Sequence, residues 1–134
     1  MKAIVLLLPV LIPFLSGIVL FFAPFQRSGM RDRFTAVTVL INSLVIPFLL
    51  FTRPSDVLRL IPLSENISLS LRLDGLGSVF LALIAFLWPL ATFYSFEYME
   101  HEEHLSRFFA FYTMCYGITA GVALSANLIT LYFF

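Results

Sequence analysis

The sequence predicts an all-α transmembrane protein with four complete helices, the start of a fifth, and a β-hairpin between helices 2 and 3. Hydrophobic residues make up 60% of the 134 residues and charged residues only 12%, against roughly 45–50% and about 25% in soluble domains. Sixteen phenylalanines add to this excess. Four long apolar runs are separated by polar segments, and one of these segments has the two-residue alternation of β-strands. Lipid must therefore solvate part of the surface.

The charge balance argues against a nucleic-acid partner. The net charge is zero, the isoelectric point is about 6.7, and the chain has no basic tract. The single cysteine, Cys115, lies in an apolar run, so it supports neither an intrachain disulfide nor a zinc motif. We expect it to be a packed apolar side chain.

The first apolar run covers residues 3–25 and contains no charged residue. It is long enough to cross a hydrocarbon core of roughly 30 Å, which needs ~20 helical residues. A signal peptide is the alternative, but its apolar region usually has only about 7–15 residues. Pro9 and Pro13 predict a bent helix whose freed carbonyl groups need partners on neighbouring helices.

A short polar turn is predicted at residues 26–33, followed by a second span at residues 34–51. Asn42 and Ser43 lie near the middle of this span. A buried amide at that depth favours an interhelical hydrogen bond, worth about 1 kcal/mol. The alternative is that Asn42 is a polar group near an ion path.

The segment after the second span predicts a β-hairpin at residues 57–73. From residue 67 to 73, leucine and isoleucine alternate with serine and arginine, which is the period of a strand. The residues S-E-N at 64–66 form the predicted turn. A lone hairpin is marginally stable in water, so we expect it to dock on other protein. The N-I-S pattern at Asn66 also fits glycosylation, a pattern that is common by chance.

The third span is predicted at residues 76–96. Asp74 stands just before it, where an aspartate caps a helix and interacts favourably with the positive end of the helix dipole. Tyr94 and Tyr98 lie near the other end, where an aromatic belt is expected.

The polar segment after the third span contains Glu97, His101, His104 and Arg107. The order H-E-E-H suggests a metal motif, but the zincin pattern requires two histidines four residues apart. Here they are three apart, which still permits one helix face. We favour a solvated, charged loop over a metal-dependent enzyme site.

The fourth span is predicted at residues 108–126 and contains a G-x-x-x-G pair, Gly117 and Gly121. Small residues in this spacing allow another helix backbone to approach closely. Asn127 interrupts the run, and residues 128–134 begin a truncated fifth helix. Seven helical residues extend only about 10 Å.

Basic residues divide evenly between the two sides of the membrane, with Lys2, Arg53, Arg59 and Arg72 on one side and Arg27, Arg31, Arg33 and Arg107 on the other. The positive-inside rule gives most weight to residues that flank the spans closely. The second group lies closer to the spans, so we expect a cytoplasmic first loop and an N-terminus outside.

Four short segments follow one another in the second half of the chain: D-G-L at 74–76, Y-S-F-E-Y-M at 94–99, R-F-F-A-F at 107–111 and A-N-L-I-T-L-Y-F at 126–133. In this order and spacing they resemble the N-terminal module of antiporter-like, proton-translocating membrane subunits. That family includes the large pumping subunits of complex I, subunits of multi-subunit Na⁺/H⁺ antiporters and energy-converting membrane hydrogenases. The hairpin between helices 2 and 3 also fits the family, so the resemblance covers residues 1–134. One departure is Ala126, where the family often has an acidic residue.

The resemblance implies translocation of H⁺, or of Na⁺ and H⁺, by a longer multi-pass subunit in a bacterial or archaeal cell membrane. In the family, a glutamate on the fifth helix and a lysine on a later broken helix are central to proton transfer, and both are expected beyond Phe134. Other membrane subunits are the implied partners. The chain would then be part of a larger complex, redox-driven or not, in which the hairpin links neighbouring subunits on the outer face.

The chain itself shows no catalytic residue, no cofactor-binding pattern and no acidic or basic side chain inside a complete span. Intramembrane ionisable residues are the usual mark of a proton path. Four polar positions remain as candidates for an ion path or a structural role: Asp74, Asn42, Glu97 and Arg107. The alternative function is a small structural or assembly subunit of the membrane with no transport of its own.

Overall fold

The computed structural model describes residues 2–23, 28–52, 57–64, 67–99 and 103–134. Within these residues the chain forms five α-helices and one hairpin, in the predicted order: α1 (Leu8–Phe22, preceded by a 3₁₀ turn at Lys2–Leu7), α2 (Ser28–Thr52), β1 (Leu58–Ser64), β2 (Ile67–Leu71), α3 (Gly75–Tyr98), α4 (Leu105–Leu124) and α5 (Leu128–Phe133). The predicted fold class, helical with a hairpin between helices 2 and 3, is confirmed.

Three of the described helical segments are long and apolar enough to cross a membrane: Ile4–Phe22, Gly29–Thr52 and Gly75–Tyr98. The chain is therefore a multi-pass integral membrane protein. The fourth predicted span corresponds to α4, a helix of 20 residues. It falls outside this set because Arg107 and the hydroxyl groups of its threonines and tyrosines lower its mean hydropathy.

The second helix begins earlier than the sequence indicates. Residues from Ser28 to 33, predicted as part of a polar turn, form the first turns of α2. Arg31 is only 6% exposed. Its Nη2 lies 2.9 Å from Oδ1 of Asp32, and its guanidinium lies 5.6 Å from the ring centroid of Phe109. Because these contacts screen the charge, the helix extends through a charged segment that hydropathy alone excludes from a span.

Helices α1 and α4 are the most closely packed pair, and two glycines make this possible. A Cβ added at Gly17 would lie 2.7 Å from the carbonyl oxygen of Ala110. One added at Gly117 would lie 2.6 Å from the carbonyl oxygen of Val10. Each glycine therefore admits the backbone of the opposite helix, and the close approach predicted for Gly117 is confirmed.

Gly121, the second glycine of the G-x-x-x-G pair, makes room for a side chain instead of a helix. A Cβ added there would lie 2.6 Å from Cδ1 of Phe134. The aromatic ring thus packs against α4 where the prediction placed a neighbouring backbone. The pair therefore serves two different contacts, with α1 at Gly117 and with Phe134 at Gly121.

The hairpin is an antiparallel pair that extends from the register Leu58↔Leu71 to Ser64↔Ile67. It is slightly shorter than the predicted range 57–73. The tip of the turn, residues 65–66, lies outside the described residues, and so does the glycosylation pattern at Asn66.

The free edge of β2 is hydrogen-bonded to the connection between α4 and α5. The N–H of Arg72 donates to the carbonyl oxygen of Leu124 at 2.8 Å, and the N–H of Ala126 donates to that of Ser70 at 3.0 Å. The connection thereby acts as a short third strand beside β2. The hairpin docks on protein, as predicted for an element that is marginal alone.

Candidate functional site

Polar side chains from three helices meet in the interior of the bundle. Ser43 Oγ on α2 lies 2.8 Å from the hydroxyl of Tyr116 on α4. The indole of Trp88 on α3 stacks on the same tyrosine, with ring centroids 5.0 Å apart and an interplanar angle of 14°. We call this set the central polar cluster, and its members are Asn42, Ser43, Trp88, Thr92, Tyr112 and Tyr116.

Helical spacing explains how the cluster forms. Trp88 and Thr92 are four residues apart on α3, and Tyr112 and Tyr116 are four apart on α4, so each pair shares one helix face. The Tyr112 hydroxyl donates to the carbonyl oxygen of Trp88 at 3.1 Å. It also lies 3.2 Å from Thr92 Oγ1. These contacts add hydroxyl hydrogen bonds to the aromatic packing between α3 and α4.

Asn42 joins the cluster to α1. Its side chain is fully buried, with 0% exposed, and its Nδ2 donates to the carbonyl oxygen of Pro9 at 3.2 Å. Pro13 has no N–H, so the carbonyl four residues before it loses its usual helical donor. Asn42 supplies the missing donor, which confirms the interhelical hydrogen bond predicted for its amide.

Replacing Asn42 with leucine should lower the free energy of unfolding by about 1–2 kcal/mol, because the Pro9 carbonyl then has no donor in a medium without water. The loss is measured by thermal unfolding of the full-length protein in detergent. Leu44→Ala is the control, because Leu44 lies two residues away and is 73% exposed. Equal losses in the two variants would contradict the role of Asn42.

Asp74 caps the N-terminus of α3. Its backbone is extended, and its Oδ1 accepts a hydrogen bond from the N–H of Gly77 at 2.6 Å. Ser78 Oγ donates to its carbonyl oxygen at 2.6 Å. A Cβ at Gly77 would collide with the carbonyl oxygen of Ala123, so this helix end abuts α4. The capping role predicted for Asp74 is therefore observed.

A cap needs an acceptor and not a charge. Asp74→Asn should leave thermal stability near wild type, whereas Asp74→Ala should lower it by about 1 kcal/mol. Thermal unfolding of the full-length protein in detergent measures both variants. A loss in Asp74→Asn as large as that in Asp74→Ala would show that the charge, and not the acceptor, matters at this position.

The four candidate positions do not form one site. Asp74 lies at the start of α3 and Glu97 near its end, which places them about 35 Å apart along the helix. Arg107 lies in the first turn of α4, and both it and Glu97 are exposed. Only Asn42 belongs to the central polar cluster.

The suggested metal site gains no support. His104 is exposed, and residues 100–102, which include His101, lie outside the described residues. Within the described part of the chain, no three His, Cys, Asp or Glu side chains group together. Cys115, predicted to be packed, is instead exposed on α4, because its face of the helix points away from the other helices.

A second polar network lies where the hairpin meets α5. Asn127 Oδ1 caps this helix, accepting from the N–H of Thr130 at 2.8 Å and from its Oγ1 at 2.7 Å. Asn127 Nδ2 donates to the carbonyl oxygen of Ser68 at 2.7 Å. The N–H of Ser70 donates to Thr130 Oγ1 at 2.9 Å. The side chains of Asn127 and Thr130 thus hold β2 in place.

In the sequence, Asn127 was evident only as an interruption between two apolar runs. An asparagine just before an apolar helical run is a capping signal that could have identified this role. The contacts with Ser68 and Ser70 had no local signal, because these residues are about 60 positions away in the chain.

The sequence of this chain is similar to those of known antiporter and oxidoreductase subunits. Residues 61–109 match the family model described as NADH-ubiquinone oxidoreductase (complex I), chain 5 N-terminus. The A/B subunit of a probable K(+)/H(+) antiporter of Rhizobium meliloti is 33% identical over 126 residues, which cover 91% of this chain and 13% of that protein.

Two further relatives come from other groups of organisms. NAD(P)H-quinone oxidoreductase subunit 5 of the Citrus sinensis chloroplast is 27% identical over 141 residues, covering 98% of this chain and 19% of that protein. The A1 subunit of a Na(+)/H(+) antiporter of Staphylococcus aureus is 38% identical over 69 residues, which cover 52% of this chain and 9% of that protein. The chain spans less than a fifth of the length of these relatives. The resemblance seen in the sequence is confirmed.

Proposed function

We propose, from the relationship of this chain to the N-terminal module of the antiporter-like membrane subunits, that it forms the front part of a subunit that translocates H⁺, or exchanges Na⁺ for H⁺, within a larger membrane complex. The match over residues 61–109 carries this proposal. Those residues include most of the hairpin, all of α3 and the start of α4. The names of the relatives describe cation/proton antiporter subunits and oxidoreductase subunits.

Within that subunit, the residues described here act as scaffold. The helical residues 4–22, 34–52, 75–96 and 108–124 carry no acidic or basic side chain, and such side chains mark proton relays inside membranes. We therefore place the relay groups in sequence after Phe134. The relatives, which are several times longer than this chain, support that placement.

The hairpin is the proposed contact with a neighbouring membrane subunit on the outer face. Within the described residues, one edge of β1 pairs with β2 and the other edge has no strand beside it. Ile61 and Leu63 on this strand are 51% and 57% exposed. An unpaired edge with apolar side chains favours a protein partner. With an N-terminus outside a bacterial or archaeal cell membrane, the hairpin and the N-terminus share the outer side.

Everted membrane vesicles test the function. In vesicles that carry the wild-type gene, adding Na⁺ or K⁺ should collapse a preformed pH gradient, as reported by a pH-sensitive dye. Vesicles from a strain that lacks the gene should keep the gradient, and a plasmid copy should restore the exchange. Equal exchange with and without the gene would contradict the proposal. Adding an electron donor to the same vesicles shows whether a redox reaction drives transport.

The alternative function, a small structural or assembly subunit, is separated from the first by the intact mass of the native subunit. This sequence has a mass of 15.2 kDa. A native mass several times larger is expected if these residues are the front of an ion-translocating subunit. A native mass near 15.2 kDa would favour the structural role, and the relay groups would then have to be sought on a separate chain.

A further inference from the structure

We propose that the central polar cluster binds ordered water inside the helical bundle, hydrogen-bonded to Asn42 and Trp88. Asn42 Oδ1 and Trp88 Nε1 are buried and have no hydrogen-bond partner among the described residues. A buried polar group without a partner costs about 1–3 kcal/mol. In the membrane interior no bulk water is available to supply one. Both atoms therefore require a partner between the helices.

Both unpaired atoms belong to residues around one side chain, Tyr116. Ser43, the neighbour of Asn42 in sequence, contacts the Tyr116 hydroxyl at 2.8 Å. Trp88 stacks on the Tyr116 ring at 5.0 Å. Tyr116 is itself 0% exposed. Asn42 on α2 and Trp88 on α3 thus both border Tyr116.

Prolines add backbone acceptors to this region. Pro47 on α2 has no N–H, so the carbonyl of Ser43, four residues earlier, loses its helical donor. On α3, Pro89 likewise leaves the carbonyl of Ala85 without its helical donor. Ser43 belongs to the cluster, and Ala85 lies one turn before Trp88. Two backbone carbonyls without their helical donor therefore lie on the same helices as Asn42 and Trp88.

Water fits this combination better than a cation does. The indole N–H of Trp88 is a donor only, and it cannot coordinate a metal ion. The Asn42 oxygen and the two carbonyls are acceptors only. A water molecule both donates and accepts, and buried waters make about three hydrogen bonds each. Occupancy by water satisfies both kinds of atom at once.

Radiolytic footprinting of the full-length subunit in its native complex tests this proposal, because radiolysis converts water into hydroxyl radicals that oxidise the side chains beside it. Tyr116 should be oxidised several-fold faster than Phe109, after correction for the intrinsic reactivities of the two rings. Phe109 is the matched control, since it lies on the same helix and is 1% exposed. It belongs to a separate apolar cluster with Leu20 and Ala110.

Two outcomes would overturn the proposal. Oxidation of Tyr116 no faster than that of Phe109 would show that the cluster is dry. Oxidation that rises when Na⁺ and K⁺ are removed from the buffer would show that a cation occupies the site. The expected result is fast labelling of Tyr116 that does not depend on either cation. The measurement uses the wild-type protein, so it does not depend on whether a variant folds.

Discussion

Replacing Gly117 with alanine should separate α1 from α4 and lower the stability of the bundle. The added Cβ would lie 2.6 Å from the carbonyl oxygen of Val10 and 3.1 Å from Cγ of Pro13. A backbone oxygen cannot rotate away, so the whole helix must move. Overpacking of this kind costs about 1–3 kcal/mol, and leucine at the same position should cost more. The melting temperature in detergent and the amount of assembled protein in the membrane measure the effect.

Gly29→Ala is the matched control for this prediction. Gly29 is also helical, on α2, but a Cβ added there meets nothing within 4 Å. Alanine in a helix is favoured over glycine by up to about 1 kcal/mol, so this variant should be as stable as wild type or more stable. A Gly117→Ala protein that melts at the wild-type temperature would show that the two helices do not touch at this point.

Replacing Asn127 with alanine should release the hairpin from the end of the bundle. The change removes the cap of α5, the acceptor for Thr130 Oγ1 and the donor to the Ser68 carbonyl. Several hydrogen bonds at about 0.5–1.5 kcal/mol each predict a loss of roughly 2–3 kcal/mol. Hydrogen exchange of the backbone amides in Ile67–Leu71 measures it, because these amides lose protection when the hairpin undocks.

Asn127→Asp separates the two roles of this side chain. Aspartate retains the acceptor that caps α5, so the helix should remain, but it has no N–H to donate to Ser68. Protection of β2 should therefore fall between that of wild type and that of the alanine variant. Unchanged protection in both variants would mean that the backbone bonds of Ser70 and Arg72 hold the hairpin without help from Asn127.

The elements predicted correctly are those whose signals are local. Uninterrupted apolar runs indicated the positions of the helices, and alternating residues indicated the hairpin. Asp74 was identified as a cap because an aspartate before an apolar run has one common role. Asn42 was identified because an amide inside an apolar run must find a partner.

What the sequence did not predict depends on contacts between distant segments. Arg31 lies within α2 because Phe109, on another helix, covers its guanidinium. Asn127 contacts Ser68 only after the hairpin has folded back on the bundle. The central polar cluster collects Trp88 and Tyr116 from two helices, and each alone is an ordinary aromatic residue in an apolar run. In each case the partner is fixed by tertiary packing and has no fixed spacing along the chain.

The supporting role that we propose for these residues within the subunit is consistent with the same contacts. The apolar stretches of the described spans carry no charged side chain, and they are held together by glycine packing at Gly117 and by hydrogen bonds at Asn42. The hairpin is fixed on one end of that bundle by Asn127. A module without charged groups in its apolar stretches suits the proposed support of an adjacent ion path more than the transfer of protons.

Transport by the purified complex is the most direct test of an ion-translocating role. The complex would be isolated through a tag on this subunit, reconstituted into proteoliposomes, and given a pH gradient across the membrane. We expect that adding Na⁺ or K⁺ outside dissipates the gradient, and that liposomes prepared in the same way from a strain without this gene keep it. An intact complex that moves neither protons nor cations under these conditions would contradict the ion-translocating role and would favour a purely structural subunit.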